Sequence, residues 1–236
     1  MLDLIPSPIP PVVFLVLQIG AIALWLAGVL LLAEILRRWQ GESELVRKVV
    51  HIGTGNILFL AWGLKIPLWV CLIACISFSI IAYISYLKPI LPMLNSVGRK
   101  TLGVFYYAVS ITCLVIWFWS INLPEYAVVG VLVMTWGDGL AALVGQKWGK
   151  NPYYFMDSKK TWEGSLAMLF VSYIVIVVVL AIANEFSVFT WIIPIPVAII
   201  ATILEAISPG GTDNLTVPLA SGFLCYGLVE IVGMIA

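Results

Sequence analysis

Charge is what this chain most lacks. Charged residues fill 10% of its 236 positions, against roughly 25% in an ordinary soluble domain, which excludes a well-solvated globular surface. The 12 basic residues balance the 12 acidic ones, so no basic field is present to draw in nucleic acid. Histidine occurs once, as His51, and the cysteines (Cys71, Cys75, Cys113, Cys225) all sit inside apolar runs. No CxxC pair or Cys/His cluster has zinc spacing, and a disulfide framework would need cysteines in extramembrane loops. They read as small buried hydrophobes. What is abundant is apolar side chain: 62% of positions and a mean hydropathy of +1.10. That excludes disorder and points to a membrane protein of several spans.

A transmembrane helix needs roughly 20 apolar residues. Residues 12–33 form such a run, broken only by Gln18 and entered through Pro11, a good first helical residue. The run is too long for a signal-peptide core and has no basic residue before it, so cleavage is not expected, and residues 1–11 do not read as an Arg- and Ser-rich transit peptide. Uncharged runs follow at 66–87, 101–124, 164–184 and 186–204, and two more, 126–146 and 214–236, are broken by Asp138 and Glu230. The shorter, more polar 49–64 completes eight helices, or seven if it is discounted. The expected fold is all-α and polytopic, one membrane domain over 1–236, without a second domain, internal repeat or low-complexity tail.

Basic residues orient the spans. Arg37, Arg38, Arg47 and Lys48 fall in the first connection, Lys88, Arg99 and Lys100 in the third, and Lys147, Lys150, Lys159 and Lys160 at the fifth, with Lys65 alone on the other side. That split places these connections in the cytoplasm and both termini outside. The last connection, SPGGTDN (208–214), is cytoplasmic as well.

Asp138 lies half way along its apolar run, where an acidic residue costs roughly 2.5–3.5 kcal/mol on insertion scales. With no basic residue within two turns on its own helix, it needs a partner on another helix or a metal or catalytic use. Gly137, Ala141, Gly145 and Gly149 recur every four residues beside it. Such a small-residue ladder lets a neighbouring helix or a ligand come close. GDGLAA (137–142) matches a dinucleotide fingerprint without a βαβ unit to hold it, and GQKWGKN (145–151) falls short of a P-loop in spacing and in its last residue. Both are chance matches. Lys159, Lys160, Thr161, Glu163, Gly164 and Ser165 gather cations, hydroxyls and a carboxylate at a helix start, which suits either a phosphate or membrane anchoring plus a helix cap. Glu163 could bind a metal. Asp213 is placed to cap the eighth helix, while Glu205 has no such explanation. Arg47, Lys48 and His51 form RKxxH, with His51 and Arg47 on one face. Glu34 pairs with Arg37 or Arg38.

Carboxylates to hold Mg2+, cations to neutralise phosphate and little else are what phosphoryl or nucleotidyl transfer requires. GDGLAALVGQKWGK…KKTWEGS (137–165), followed by E…DNLTVPL (205–219), resembles the CTP-dependent polyprenol kinase family of phytol, farnesol and dolichol kinases. RKVVHIGTG (47–55) resembles its phytol kinase branch. The likeness spans about 47–219, and the short chain is most similar to bacterial or cyanobacterial members.

The resemblance implies Mg2+ on Asp138 and Glu163, with Asp213 a further ligand or orienter. It implies phosphate contacts from Lys159 and Lys160, with Thr161 in the same nucleotide-binding segment, and close approach of CTP at Gly137, Gly145 and Gly149. Asn214 would assist through its amide and Glu205 would support the site. Arg47, Lys48 and His51 would line the acceptor or phosphate side. The implied reaction moves the γ-phosphate of CTP to a membrane-dissolved prenyl alcohol, with Asp138 the first candidate for the alcohol proton. CDP-diacylglycerol synthases, of the same wider group, carry GHGG and DRxD elements that this chain lacks, which makes nucleotidyl transfer the second reading. A diacylglycerol acceptor stays open, as does an ion-coupled transporter, although no inverted repeat supports one. Oligomeric state and the particular membrane stay open too.

Overall fold

The computed structural model describes residues 10–41, 43–88, 102–155, 158–183 and 187–235. Arg99 and Lys100 of the orientation argument, and most of the proline-rich preface, lie outside them. Among the described residues there are eight helical rods: α1 (Pro11–Gln40), α2 (Glu44–Gly63), α3 (Leu68–Leu87), α4 (Gly103–Trp119), α5 (Pro124–Trp148), α6 (Trp162–Ala183), α7 (Phe189–Ile207) and α8 (Asp213–Met234). Six are long and apolar enough to cross a membrane and α4 is a shorter apolar helix, so the chain is an all-α polytopic membrane protein. One detail differs from the expected loop after α5. Strands β1 (Pro152–Phe155) and β2 (Ser158–Thr161) pair there as an antiparallel hairpin.

Prolines and caps set the starts. Pro11 and Pro124 open α1 and α5, where a missing N–H costs nothing. Pro194 follows a break at Ile193 and restarts α7. The Ser43 side chain caps α2 by accepting from the Val46 amide. Helix α5 is the hub, packing against α2, α4, α6, α7 and α8, and Ala127 to Val131 along it are fully buried. Helix α1 lies outside, against α2, and presents apolar side chains such as Leu24 and Leu31 outward, as lipid-facing helices do. Gln18, the polar interruption in its run, is buried and donates to the Leu64 carbonyl at the frayed end of α2. Glu34 pairs with both Arg37 and Arg38, each at 2.8 Å.

Two stretches wind as π-helix: Val115–Trp119 ends α4, and Val133–Asp138 lies inside α5. Such wide turns are rare and recur at functional sites. The second ends on Asp138.

A proline also shapes the entry of α8. Pro218 lies inside the helix and has no N–H for the carbonyl one turn before it, that of Asn214. In a membrane such a carbonyl must find another donor. The Ser110 hydroxyl of α4 supplies it at 2.9 Å. Gly130 of α5 makes room for the same turn, since a methyl there would come within 2.4 Å of the Pro218 carbonyl.

Candidate active site

Five elements meet beside the π-turn of α5. Among the described residues, one group of acids is close enough to hold a metal ion together: Asp138 of α5, Glu205 near the end of α7 and Asp213 at the start of α8, with one oxygen of each within 4.8 Å of the others. Two lysines enter from different elements. Lys48, 5% exposed on α2, forms an ion pair with Asp138. Lys160 of β2 donates to both the carboxylate and the backbone carbonyl of Glu205, itself 6% exposed. Buried charges persist only when paired, and both lysines meet that requirement. Asp213 makes no ion pair among the described residues; its Oδ1 accepts from the Asn214 amide at 3.0 Å. Arg47 stands within electrostatic range of Asp138 and Asp213 while its guanidinium binds Glu44. Three carboxylates and two ammonium groups leave one net negative charge among hard oxygen donors, a set that suits Mg2+ bound partly through substrate phosphates.

His51 faces this group from α2. Its Nε2 is 3.9 Å from Asp138 Oδ2, and its ring packs at a tilt of 42° against Tyr107 of α4 with centroids 4.9 Å apart. The Tyr107 hydroxyl is 2.7 Å from Thr135 Oγ1, and Trp136 donates to Asn56 at 3.0 Å. Gly55 makes this α2–α5 seam possible, because a methyl there would lie 2.1 Å from Thr135.

Several expected roles change. Glu163 does not join Asp138: its carboxylate accepts from the backbone amides of Lys150 and Asn151 and from the Asn151 side chain, tying the end of α5 to the start of α6. Glu205, expected to support from the side, takes the third place among the acids. Lys159 and Lys160 separate because successive strand residues point to opposite faces. Lys160 turns inward, whereas Lys159 is exposed. Thr161 caps α6 by accepting from the Gly164 amide at 3.2 Å.

The glycine ladder faces α6. An added methyl would come within 2.5 Å of Met168 at Gly137, and within 2.9 Å of Thr161 at both Gly145 and Gly149. The close approach it permits is between helices, the packing alternative. Asp213 is the first residue of α8, whose opening turn is held by the Thr212 carbonyl accepting from Leu215 and Thr216, so it orients Asn214 and does not cap. Asn214 also bonds the Gly211 carbonyl at 3.3 Å. Lys48, expected on the acceptor or phosphate side, is the counter-charge of Asp138.

Sequence reasoning missed Tyr107, Ser110 and Asn56. Each is a polar residue inside an apolar run, and that was the available signal.

No protein-family model matches the chain, and no solved structure matches it. Curated sequences do. The chain is 46% identical over 211 residues to the phytol kinase of Synechocystis sp., covering 89% of this chain and 91% of that one. It is 24% identical to phytol kinase 1, chloroplastic, of Arabidopsis thaliana, over 89% of this chain and 76% of the relative. To the farnesol kinase, chloroplastic, of the same plant it is 29% identical, over 82% and 69%. With its acids and lysines gathered among membrane helices, and with that identity running through nearly the whole of both chains, the protein belongs to the phytol kinase family of membrane-embedded prenyl alcohol kinases.

Proposed function

We propose that the chain phosphorylates phytol dissolved in the bilayer, taking the γ-phosphate of CTP and releasing phytyl monophosphate and CDP at the cytoplasmic face. The observation that carries this reading is the meeting of Asp138, Glu205 and Asp213 with Lys48 and Lys160. Phosphoryl transfer needs little covalent chemistry from a protein, so positioning and charge neutralisation do most of the work. Asp138, Glu205 and Asp213 would hold Mg2+, which would supply positive charge to offset that of the phosphates. Lys48 and Lys160 stand ready to share their charge between the carboxylates and an arriving polyphosphate. Arg47, half-exposed at the rim, is placed for its outer oxygens. Glu163 and Thr161 act at a distance by fixing the hairpin that delivers Lys160. The depth of the acids among the helices suits an acceptor whose hydroxyl never leaves the membrane.

The test uses purified protein in detergent with Mg2+, phytol, and CTP labelled at the α- or the γ-phosphate. Label is expected in the lipid from the γ position alone. Transfer of the α label would mean a cytidylyltransferase, and no transfer to any alcohol would sink the reading. Farnesol, a longer polyprenol and diacylglycerol then rank the acceptors, and ATP in place of CTP tests the nucleotide.

A further inference from the structure

His51 carries a buried polar atom that no described residue engages. Its Nε2 is shielded from solvent and, among the described residues, has no hydrogen-bond partner. The Asp138 oxygen at 3.9 Å is beyond hydrogen-bond reach. Orphaned buried polar atoms are rare in folded proteins, and each calls for an explanation. The rest of the ring is held against Tyr107, tilted at 42° with centroids 4.9 Å apart. A neutral imidazole has one nitrogen that donates and one that accepts, and Nε2 is the one without a partner. The atom lies beside the acid cluster, and both neighbours of Asp138 on this side, Lys48 and His51, come from the same helical turn of α2.

We propose that His51 Nε2 is the hydrogen-bond acceptor for the hydroxyl of the lipid alcohol, holding its oxygen at the edge of the carboxylate cluster for attack on the terminal phosphate. This rests on the kinase reading above. A neutral hydroxyl fits better than a phosphate: phosphate oxygens only accept, and a bare imidazole nitrogen has no proton to offer them. Lys48 and Lys160 are engaged with Asp138 and Glu205, which leaves the imidazole nitrogen as the unpartnered acceptor facing the acids.

His51 is the chain's sole histidine, so the atom can be watched directly in the unaltered protein. With 15N-histidine incorporated and the protein in nanodiscs, the Nε2 resonance is expected to move when phytol is added, while Nδ1 stays near its free position. The corresponding hydrocarbon without the hydroxyl should leave both unmoved. An Nε2 signal that ignores phytol under conditions where phytol is phosphorylated would overturn the proposal and leave the kinase reading standing. So would a shift that Mg2+ and CTP produce without alcohol and that alcohol does not change. If no alcohol is phosphorylated, the kinase reading itself falls.

Variants supply a second readout. His51→Phe keeps the ring stack and removes the acceptor, and is expected to lower kcat/KM for phytol by roughly ten- to a hundredfold, with the KM for CTP unchanged. His51→Gln, whose amide oxygen can accept, should recover part of it. Equal losses toward both substrates, or no recovery by Gln in a folded protein, would assign His51 a packing role only.

Discussion

A buried ammonium needs a counter-charge, and Lys48 has Asp138 with Glu44 at 3.9 Å behind it. Removing one member of such a pair costs about 3–5 kcal/mol because the other is left uncompensated. Asp138→Asn is therefore expected to abolish label transfer and to lower stability toward denaturing detergent by about that amount. Lys48→Met in the same chain should restore most of the stability and none of the activity. Additive losses in the double variant would show that the pair is not formed. Ser110 poses a smaller test of the same logic. Ser110→Ala leaves the Asn214 carbonyl without a donor, at a cost of about 1–3 kcal/mol. Pro218→Ala gives that carbonyl its missing N–H, so the loss from Ser110→Ala should shrink in a Pro218→Ala background. If both losses simply add, Ser110 does not serve that carbonyl.

At the scale of elements, the hairpin and the α5–α6 seam determine which residues can reach the acids. Strand alternation sends Lys160 to Glu205 and Lys159 outward. Lys160→Ala should lower kcat/KM by about a hundredfold or more, the effect of cutting a buried charge pair, whereas Lys159→Ala should stay within about twofold, as exposed charges do. The reverse order would mean that the hairpin rotates in the working enzyme. Gly164 packs on α5, where a methyl would lie 2.9 Å from the Ala141 carbonyl, so Gly164→Ala is expected to destabilise by about 1–3 kcal/mol. Gly28 of α1 has open space around it, and Gly28→Ala should cost nothing by the same unfolding assay. The four-residue repeat revealed a close helix contact but not its partner, because periodicity shows a face and says nothing of what covers it.

For the whole molecule, the direction of insertion remains to be measured. In a background with the native cysteines replaced by alanine, Lys159→Cys is expected to react with a membrane-impermeant maleimide from the cytoplasmic side of sealed vesicles, and Lys65→Cys from the other side. Labelling of both from one side would overturn the orientation inferred from the basic residues. Architecture was largely legible beforehand: each apolar run became a helix, α1 starting at Pro11 as expected and other starts shifted by a few residues where Pro124 or Ser43 set the boundary. That followed because hydrocarbon leaves a backbone no alternative to satisfying itself within a helix. The inventory of acids and cations was legible too, since each is conspicuous in an apolar chain. Membership of the acid group was not. Glu163 and Glu205 are equally conspicuous in sequence, yet Glu163 binds the Lys150 and Asn151 amides while Glu205 joins Asp138 and Asp213. A linear pattern fixes which residues share a helix face. Which faces confront one another depends on how eight rods pack, and only that packing set Lys48 against Asp138 and left His51 Nε2 open beside it.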